Sequence, residues 1–132
     1  NKLISVFTEK GHEFTDYGAG PSEDIDYPDI GHEVAKDVAS GKFDRGILIC
    51  GTGIGMNITA NKVKGAYAAV CHDIYSTQRS ILSNNANIMC MGAIVIGTAT
   101  AETLVDTWLS LTFKDGRSTP KINKIYEYEK SE

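Results

Sequence analysis

Apolar residues along the chain occur in two patterns, short continuous runs that are typical of buried strands and spaced positions that are typical of amphipathic helices. Continuous runs predict strands at Gly46–Cys50 and 66–71, with further apolar segments at 87–91 and 93–96 and a short strand at 12–17. Spaced apolar positions predict helices over 1–10, 28–41, 56–62, 74–83, 99–113 and 121–130. Strands and helices are therefore expected to alternate along almost the whole chain.

Alternation of strands with helices of this length predicts βαβ units, in which helices cover both faces of a parallel sheet. The expected fold class is therefore α/β, with a three-layer α/β/α sandwich. The chain has 132 residues, about the length of one domain, and we expect 1–132 to form a single one with a C-terminal helical arm over about 117–132. Because the first predicted element is a helix, which is unusual for this architecture, we expect a preceding strand to be missing.

Composition and charge narrow the function classes. Hydrophobic residues make up 42% and charged residues 23%, which argues against disorder. There is no apolar run of about 18 residues and no signal-peptide pattern, so we expect no membrane span and a cytoplasmic protein. The net charge of −4 and the scattered basic residues argue against a nucleic-acid partner. The three cysteines lack CxxC spacing, which argues against a disulfide framework or a metal site of the zinc type.

The sequence Cys-Gly-Thr-Gly-Ile-Gly-Met at 50–56 is the sharpest local feature, and we call its residues 51–55 the glycine turn. It follows a predicted strand, at the edge where open parallel sheets bind ligands. Glycines allow close backbone approach, and successive N–H groups at a helix N-terminus attract negative charge. The spacing is G-x-G-x-G rather than G-x-G-x-x-G, and no Gly-Lys-Ser/Thr follows, so the match to nucleotide-binding motifs is weak. An anion site is therefore predicted, with a nucleotide as its weakest candidate ligand.

Cys50 gives the glycine turn a possible chemistry. A thiol that faces converging amides and a helix N-terminus has a larger thiolate fraction, and a thiolate can act as a nucleophile or a general base. The alternative is that Cys50 is a small buried residue at the end of a strand. The local pattern leaves both interpretations open.

Two longer segments surround this motif, ILICGTGIGMNITANKVKGAYAAVCHD at 47–73 and NNANIMCMGAIVIG at 84–97. In these segments the chain resembles the type-B ribose-5-phosphate isomerases and the related galactose-6-phosphate isomerase subunits. The resemblance extends from about residue 10 to residue 125, through Asp-Tyr-Pro at 26–28 and Gly-Arg at 116–117. The gapless length of the central match makes membership of this family the expected conclusion.

The resemblance implies a Rossmann- or flavodoxin-like parallel sheet, and homo-oligomers (dimers or tetramers) with active sites between subunits. It implies an aldose–ketose isomerase that acts on a sugar phosphate through an enediolate, without a metal or an organic cofactor. Ribose 5-phosphate and ribulose 5-phosphate are the expected pair, as in the pentose phosphate pathway, and galactose 6-phosphate is an alternative. A non-catalytic subunit or phosphosugar-binding regulator of the same fold is the alternative function.

The resemblance also implies roles residue by residue. It makes Cys50 the base, associates Thr52 with opening of the sugar ring, and makes the backbone amides of the glycine turn the donors to the enediolate oxygens. Asn84 is expected to bind the sugar across a subunit interface, and Arg117 with Lys121 to bind the phosphate. The implied substrate-binding residues are Asp26, Tyr27, Gly51, Gly53, Ile54, Gly55, Asn84, Arg117 and Lys121.

Several positions depart from the family's pattern. Met56 stands where one branch of the family has a glutamate base, which leaves Cys50 to take the proton. Ser83 stands where the family has a histidine that assists ring opening, and serine cannot replace imidazole as an acid–base at neutral pH. Ile94 and Lys121 stand where relatives have arginine, which weakens the expected phosphate site. These changes indicate a different sugar phosphate, an open-chain substrate or lost activity.

For the remaining cysteines and histidines, a structural role is expected ahead of a catalytic one. Cys71 and Cys90 lie in apolar segments and are expected in the core. His12 and His32 are expected on the surface or on a helix face. His72 follows a predicted strand and could approach the site, although its adjacency to an aspartate does not by itself make a catalytic pair.

Overall fold

A computed structural model describes the chain at residue 15 and over residues 27–131. Along this part, helices and strands alternate up to the last two elements, which are both helices. Their order is α1 Tyr27–Ala39, β1 Gly46–Cys50, α2 Ile54–Asn61, β2 Ala68–Val70, α3 Ile74–Leu82, β3 Ile88–Gly92, α4 Thr98–Leu109 and α5 Thr119–Ser131. The three strands form a parallel sheet in the order β1–β3–β2, and the last residue of β1 pairs with the last residue of β3. The α/β fold class is confirmed. None of these helices combines the length and the apolar composition that crossing a membrane requires.

Helices α1, α2, α3 and α5 and strand β1 match their predicted bounds within two residues. The predicted end of α4 at 113 is wrong, because the helix stops at Leu109. The strand predicted over 66–71 is shortened to Ala68–Val70. The segment 93–96 is a turn that folds back on β3, since the N–H groups of its last two residues bond the Gly92 carbonyl oxygen.

The predicted helix over 1–10 and the loop over 18–26 lie outside the described residues. The same holds for the predicted strand over 12–17, with the exception of Thr15, which is exposed and belongs to no helix or strand.

Strand β3 is central, and its side chains alternate between two hydrophobic layers. Ile88 and Cys90 face one side, where α1 and α2 pack over the sheet. Met89 and Met91 face the other side, where α3 and α4 pack over the sheet. The fully buried Trp108 of α4 lies in this layer. Because β3 is buried on both faces, its sequence reads as a continuous apolar run and not as an alternation.

Arg45, just before β1, explains the early end of α4. Its guanidinium donates hydrogen bonds to the carbonyl oxygens of Trp108 and Leu111, and it lies 5.1 Å from the centre of the Trp108 ring. Carbonyls at a helix C-terminus lack partners within the helix and attract a cation. Burial lowers the pKa of Arg45 from its usual value. Arg45 therefore ties the end of α4 to the start of the sheet.

We expect Arg45→Met to lower the free energy of unfolding by about 1.5–3 kcal/mol, because it leaves two carbonyl groups without their charged donor. Urea unfolding followed by circular dichroism measures this difference. Lys42→Met is the matched control, since Lys42 is largely exposed and its ammonium lies 3.9 Å from the Asp37 carboxylate. A surface pair of this kind contributes only about 0–1 kcal/mol. Equal losses in the two variants would contradict the role assigned to Arg45.

Asn61 closes the outer edge of β2. Its amide Nδ2 donates to the Ala68 carbonyl oxygen at 3.0 Å, and its Oδ1 accepts from the Ala68 N–H at 2.9 Å. Ala68 is a residue whose backbone groups face away from β3, so the side chain of Asn61 takes the place of a neighbouring strand. The last residue of α2 thereby covers the outer edge of β2 at Ala68.

Helix α5 packs beside the start of β2. The Glu129 carboxylate accepts from the Tyr67 hydroxyl at 2.6 Å and from the Gly65 N–H at 3.1 Å. The Tyr67 and Tyr126 rings lie 5.2 Å apart, and Ile122 is buried beneath the helix. Burial and the bond to Glu129 raise the pKa of Tyr67, which therefore remains a hydroxyl donor. These contacts hold α5 at the amino-terminal edge of the sheet.

Candidate active site

The glycine turn lies directly on the end of β3. Gly53 has a φ of 82°, and a Cβ atom there would be 2.9 Å from the Met91 carbonyl carbon. A Cβ atom at Gly92 would be 2.6 Å from the Thr52 carbonyl carbon. Both positions require glycine, the first for its backbone conformation as well as for space. The turn and the end of β3 therefore pack backbone against backbone.

Two hydrogen bonds fix the direction of the turn's peptide groups. Ala93 N–H donates to the Cys50 carbonyl oxygen at 2.8 Å, and Ile94 N–H donates to the Gly51 carbonyl oxygen at 3.0 Å. In a trans peptide the N–H points opposite to the C=O. The N–H groups of Gly51 and Thr52 therefore point away from residues 93–94, and neither has an acceptor among the described residues.

The N–H groups of Gly53 and Ile54 are used inside the turn. Gly53 N–H donates to the Cys50 Sγ at 3.2 Å, and Ile54 N–H donates to the Thr52 Oγ1 at 3.3 Å. Cys50 is half-buried and packs against the hydrophobic layer between the sheet and helices α1 and α2. The turn therefore holds a supported thiol next to two amide donors.

The other two cysteines differ from Cys50. Cys71 and Cys90 are fully buried, as the sequence predicts. Burial raises the pKa of both thiols, that of Cys90 to about 12. Both therefore stay protonated and inert at neutral pH, and Cys50 is the cysteine that is partly exposed.

His72 lies at the same edge, between the ends of β2 and β3. Its Nε2 accepts a hydrogen bond from the Gly92 N–H at 2.8 Å. The next residue, Asp73, is the N-cap of α3. Its carboxylate accepts a hydrogen bond from the Ser76 N–H at 2.7 Å, and this bond lowers the pKa of the carboxyl group. Gly92 and His72 are absent from the predicted site residues. An isolated glycine at the end of a strand is a signal for close backbone approach, and it could have identified Gly92.

The structure brings Cys50 and the residues of the glycine turn together, but it does not bring Asn84, Arg117 or Lys121 to them. Helix α3 runs back from the carboxyl edge of the sheet, so Asn84 beyond its end lies at the opposite edge. There it borders a cavity of about 470 Å³ whose lining also includes Arg79 and Tyr126. Arg117 and Lys121 are exposed at the start of α5.

The other predicted or divergent positions are placed as follows. Asp26 lies outside the described residues, and for Tyr27 the structure describes only the backbone, at the start of α1. Ile94 is 85% exposed beside the turn, and its Cδ1 would be 3.3 Å from a Cβ atom at Gly51. Ser83 is half-buried at the end of α3. Among the described residues there is no group of three or more His, Cys, Asp or Glu side chains able to hold a metal ion.

The fold and the site together define an α/β protein that can hold an anionic ligand beyond the carboxyl ends of a parallel sheet, next to the Cys50 thiol. The chain belongs to the ribose/galactose isomerase family, whose model matches residues 1–125. It is therefore a sugar-phosphate isomerase.

Individual relatives agree with this assignment. The chain is 51% identical over 127 residues to the ribose-5-P isomerase B of Listeria innocua, covering 96% of this chain and 86% of the relative. It is 47% identical over 133 residues to the D-erythrulose-4-phosphate isomerase of Pectobacterium atrosepticum, covering 100% and 88%. The structure of the Clostridium thermocellum ribose-5-phosphate isomerase B superposes with a TM-score of 0.93 at 45% identity, covering 98% and 88%.

Proposed function

We propose that the protein interconverts an aldose phosphate and a ketose phosphate through an enediolate, with Cys50 as the base. The observation that carries this proposal is the pairing of two features at one point of the chain. The Cys50 sulfur accepts the Gly53 N–H, and the N–H groups of Gly51 and Thr52 point outward with no acceptor among the described residues. A base and an anion site are the two requirements of an enolisation.

The proposed reaction moves one proton and no other atom between carbons. The Cys50 thiolate takes a proton from the carbon beside the carbonyl, and the electron pair of that C–H bond passes into the carbonyl group as its oxygen becomes negative. The Gly51 and Thr52 amides stabilise this oxygen, which is usually the largest catalytic contribution. The Cys50 thiol, which can exchange its proton with water, then delivers a proton to the former carbonyl carbon. The hydroxyl oxygen on the first carbon passes its proton to the former carbonyl oxygen and becomes the new carbonyl oxygen. The Thr52 hydroxyl is proposed to assist opening of a cyclic sugar.

Ribose 5-phosphate is the substrate that we propose first, because relatives named ribose-5-phosphate isomerase B match nearly the whole chain. A second candidate is erythrulose 4-phosphate, which the name of another relative specifies. The substitution at Ser83 favours the second candidate. A four-carbon sugar with phosphate on its O4 has no free hydroxyl to close a five-membered ring, so it needs no acid–base group for ring opening.

We also propose that the protein works as a homo-oligomer with sites shared between subunits. Asn84, Arg117 and Lys121 lie away from the glycine turn of their own chain, and one chain alone therefore offers the base and the amides without the proposed phosphate ligands. A neighbouring copy would bring its Asn84, Arg117 and Lys121 to this turn. Asp26 and Tyr27 remain proposed residues of the sugar pocket.

Incubation in deuterium oxide with a panel of four-, five- and six-carbon sugar phosphates tests the proposed function. We expect deuterium to enter the carbon beside the carbonyl of ribose 5-phosphate at a rate at least about a million-fold above the uncatalysed exchange. Nuclear magnetic resonance of the recovered sugar measures this incorporation, and a polyol phosphate without a carbonyl is the control. Faster incorporation into erythrulose 4-phosphate would select the second candidate. The absence of both deuterium incorporation and conversion for every sugar of the panel would contradict an isomerase and favour the phosphosugar-binding regulator.

A further inference from the structure

The turn that carries His72 is anchored on both sides. Cys71 N–H donates to the Cys90 carbonyl oxygen at 3.0 Å, which ties the residue before His72 to β3. The Asp73 carbonyl oxygen accepts from the Thr77 hydroxyl at 2.7 Å, which ties the residue after it to α3. The imidazole therefore projects from a backbone that has little freedom to move, and its Nε2 meets the Gly92 N–H at 2.8 Å.

The hydrogen bond to Gly92 also fixes the protonation of the imidazole. Nε2 accepts a hydrogen bond only when it carries no proton, so this contact requires a ring proton on Nδ1 and none on Nε2. No other described group accepts a hydrogen bond from the Gly92 N–H, because at this end of the sheet no carbonyl oxygen of a neighbouring strand is paired with it. His72 therefore supplies the acceptor that the sheet does not.

Gly92 is the residue through which β3 supports the glycine turn. It pairs in register with Cys50, and its Cα lies against the backbone of Thr52. The two N–H groups that follow it hold the carbonyl oxygens of Cys50 and Gly51. A rotation of the peptide group that contains the Gly92 N–H would therefore move the support of the whole turn.

We propose that His72 is a positioning residue of the active site: its Nε2 holds the Gly92 peptide group, and through it the Gly51 and Thr52 amides, in the orientation that stabilises the enediolate. This inference rests on the function proposed for the glycine turn. Misplacement of reacting groups by about 1 Å can cost about a hundred-fold in rate. Because the amides act on the charge of the transition state, loss of His72 should lower kcat more than it raises KM.

Three substitutions at His72 separate its hydrogen bond from its ring. The Oε1 of glutamine can occupy the place of Nε2, whereas the Oδ1 of asparagine reaches only as far as Nδ1, and leucine has no acceptor. With the sugar phosphate that the wild type converts fastest, we expect His72→Gln to keep most of kcat. We expect His72→Asn and His72→Leu to lose about ten- to a hundred-fold in kcat with little change in KM. His32→Gln, at an exposed position of α1, is the control.

The outcomes separate clearly. A wild-type kcat in His72→Asn overturns the proposal, and so does a loss of kcat in His72→Gln as large as that in His72→Asn. The comparison of these two variants tests the proposal even if His72→Leu does not fold. Long-range proton–nitrogen correlation spectra of the wild type give a readout that does not need turnover. We expect the Nδ1–H tautomer and slow exchange of the Gly92 amide, and an Nε2–H tautomer overturns the proposal. An inactive wild type with the expected spectrum would contradict the proposed function, whereas the hydrogen bond between His72 and Gly92 would still be supported.

Discussion

Replacement of Cys50 by alanine is expected to slow deuterium incorporation beside the substrate carbonyl by about a hundred- to ten-thousand-fold, the usual contribution of a general base. The variant loses the sulfur that accepts the Gly53 N–H, but the glycine turn keeps its two bonds from residues 93–94 to the Cys50 and Gly51 carbonyl oxygens. We therefore expect the fold and sugar-phosphate binding to survive. Exchange rates and calorimetric binding, measured on the same preparation, separate the two effects.

Two further substitutions make the Cys50 experiment specific. Cys50→Ser keeps the size of the side chain and offers a much weaker base, so it should be nearly as impaired as Cys50→Ala. Cys90→Ala removes a fully buried thiol from the same sheet and should keep the exchange rate while losing some stability. An unchanged exchange rate in Cys50→Ala would remove this residue as the base and would require another group of the site to take the proton.

Gly92→Ala is expected to damage both stability and turnover. The added Cβ would lie 2.6 Å from the carbonyl carbon and 2.7 Å from the Cα of Thr52, and 2.8 Å from the carbonyl oxygen of Gly51. All three atoms belong to the backbone, so no side chain can rotate away to relieve the contact. We expect the free energy of unfolding to fall by about 3 kcal/mol and kcat to fall by about a hundred-fold. Urea unfolding and the exchange assay measure the two quantities.

Gly97→Ala is the matched control for this substitution. No atom lies within 4 Å of the Cβ position at Gly97, and its φ of −83° suits any residue. Because Gly97 precedes α4 as its N-cap, alanine there should cost only about 0.5–1 kcal/mol and leave kcat unchanged. Equal losses in Gly92→Ala and Gly97→Ala would contradict the role of the close contact between β3 and the turn.

Features set by neighbouring residues could be predicted from the sequence. The continuous apolar run at Gly46–Cys50 identified a central strand, and the repeated glycines after it identified a turn at the carboxyl edge of the sheet. The contact between the Gly53 N–H and the Cys50 sulfur spans only three residues. A thiol facing backbone amides was therefore one of the two interpretations that the local pattern allowed. The family assignment likewise followed from contiguous motifs.

Features that depend on residues far apart in the chain could not be predicted in this way. Helix α4 ends at Leu109 instead of 113. Arg45, some 60 residues earlier in the chain, donates hydrogen bonds to carbonyl oxygens at and just beyond this end. The bond between His72 and Gly92 arises only when two strand ends lie side by side. The proposed roles of Asn84 and Arg117 still depend on the family resemblance, because they lie away from the glycine turn of their own chain.

The side chain of Asn61 has a consequence for how copies of this protein can aggregate. An open sheet edge can recruit a strand from another molecule, and growth of this kind leads to cross-β polymers. At the β2 edge both outward-facing groups of Ala68 are already bonded by Asn61, which leaves Val70 as the residue of this short strand with outward backbone groups. One residue cannot maintain an intermolecular ladder. Native copies are therefore protected against fibre growth along this side, and any association of copies there would have to use helices and loops.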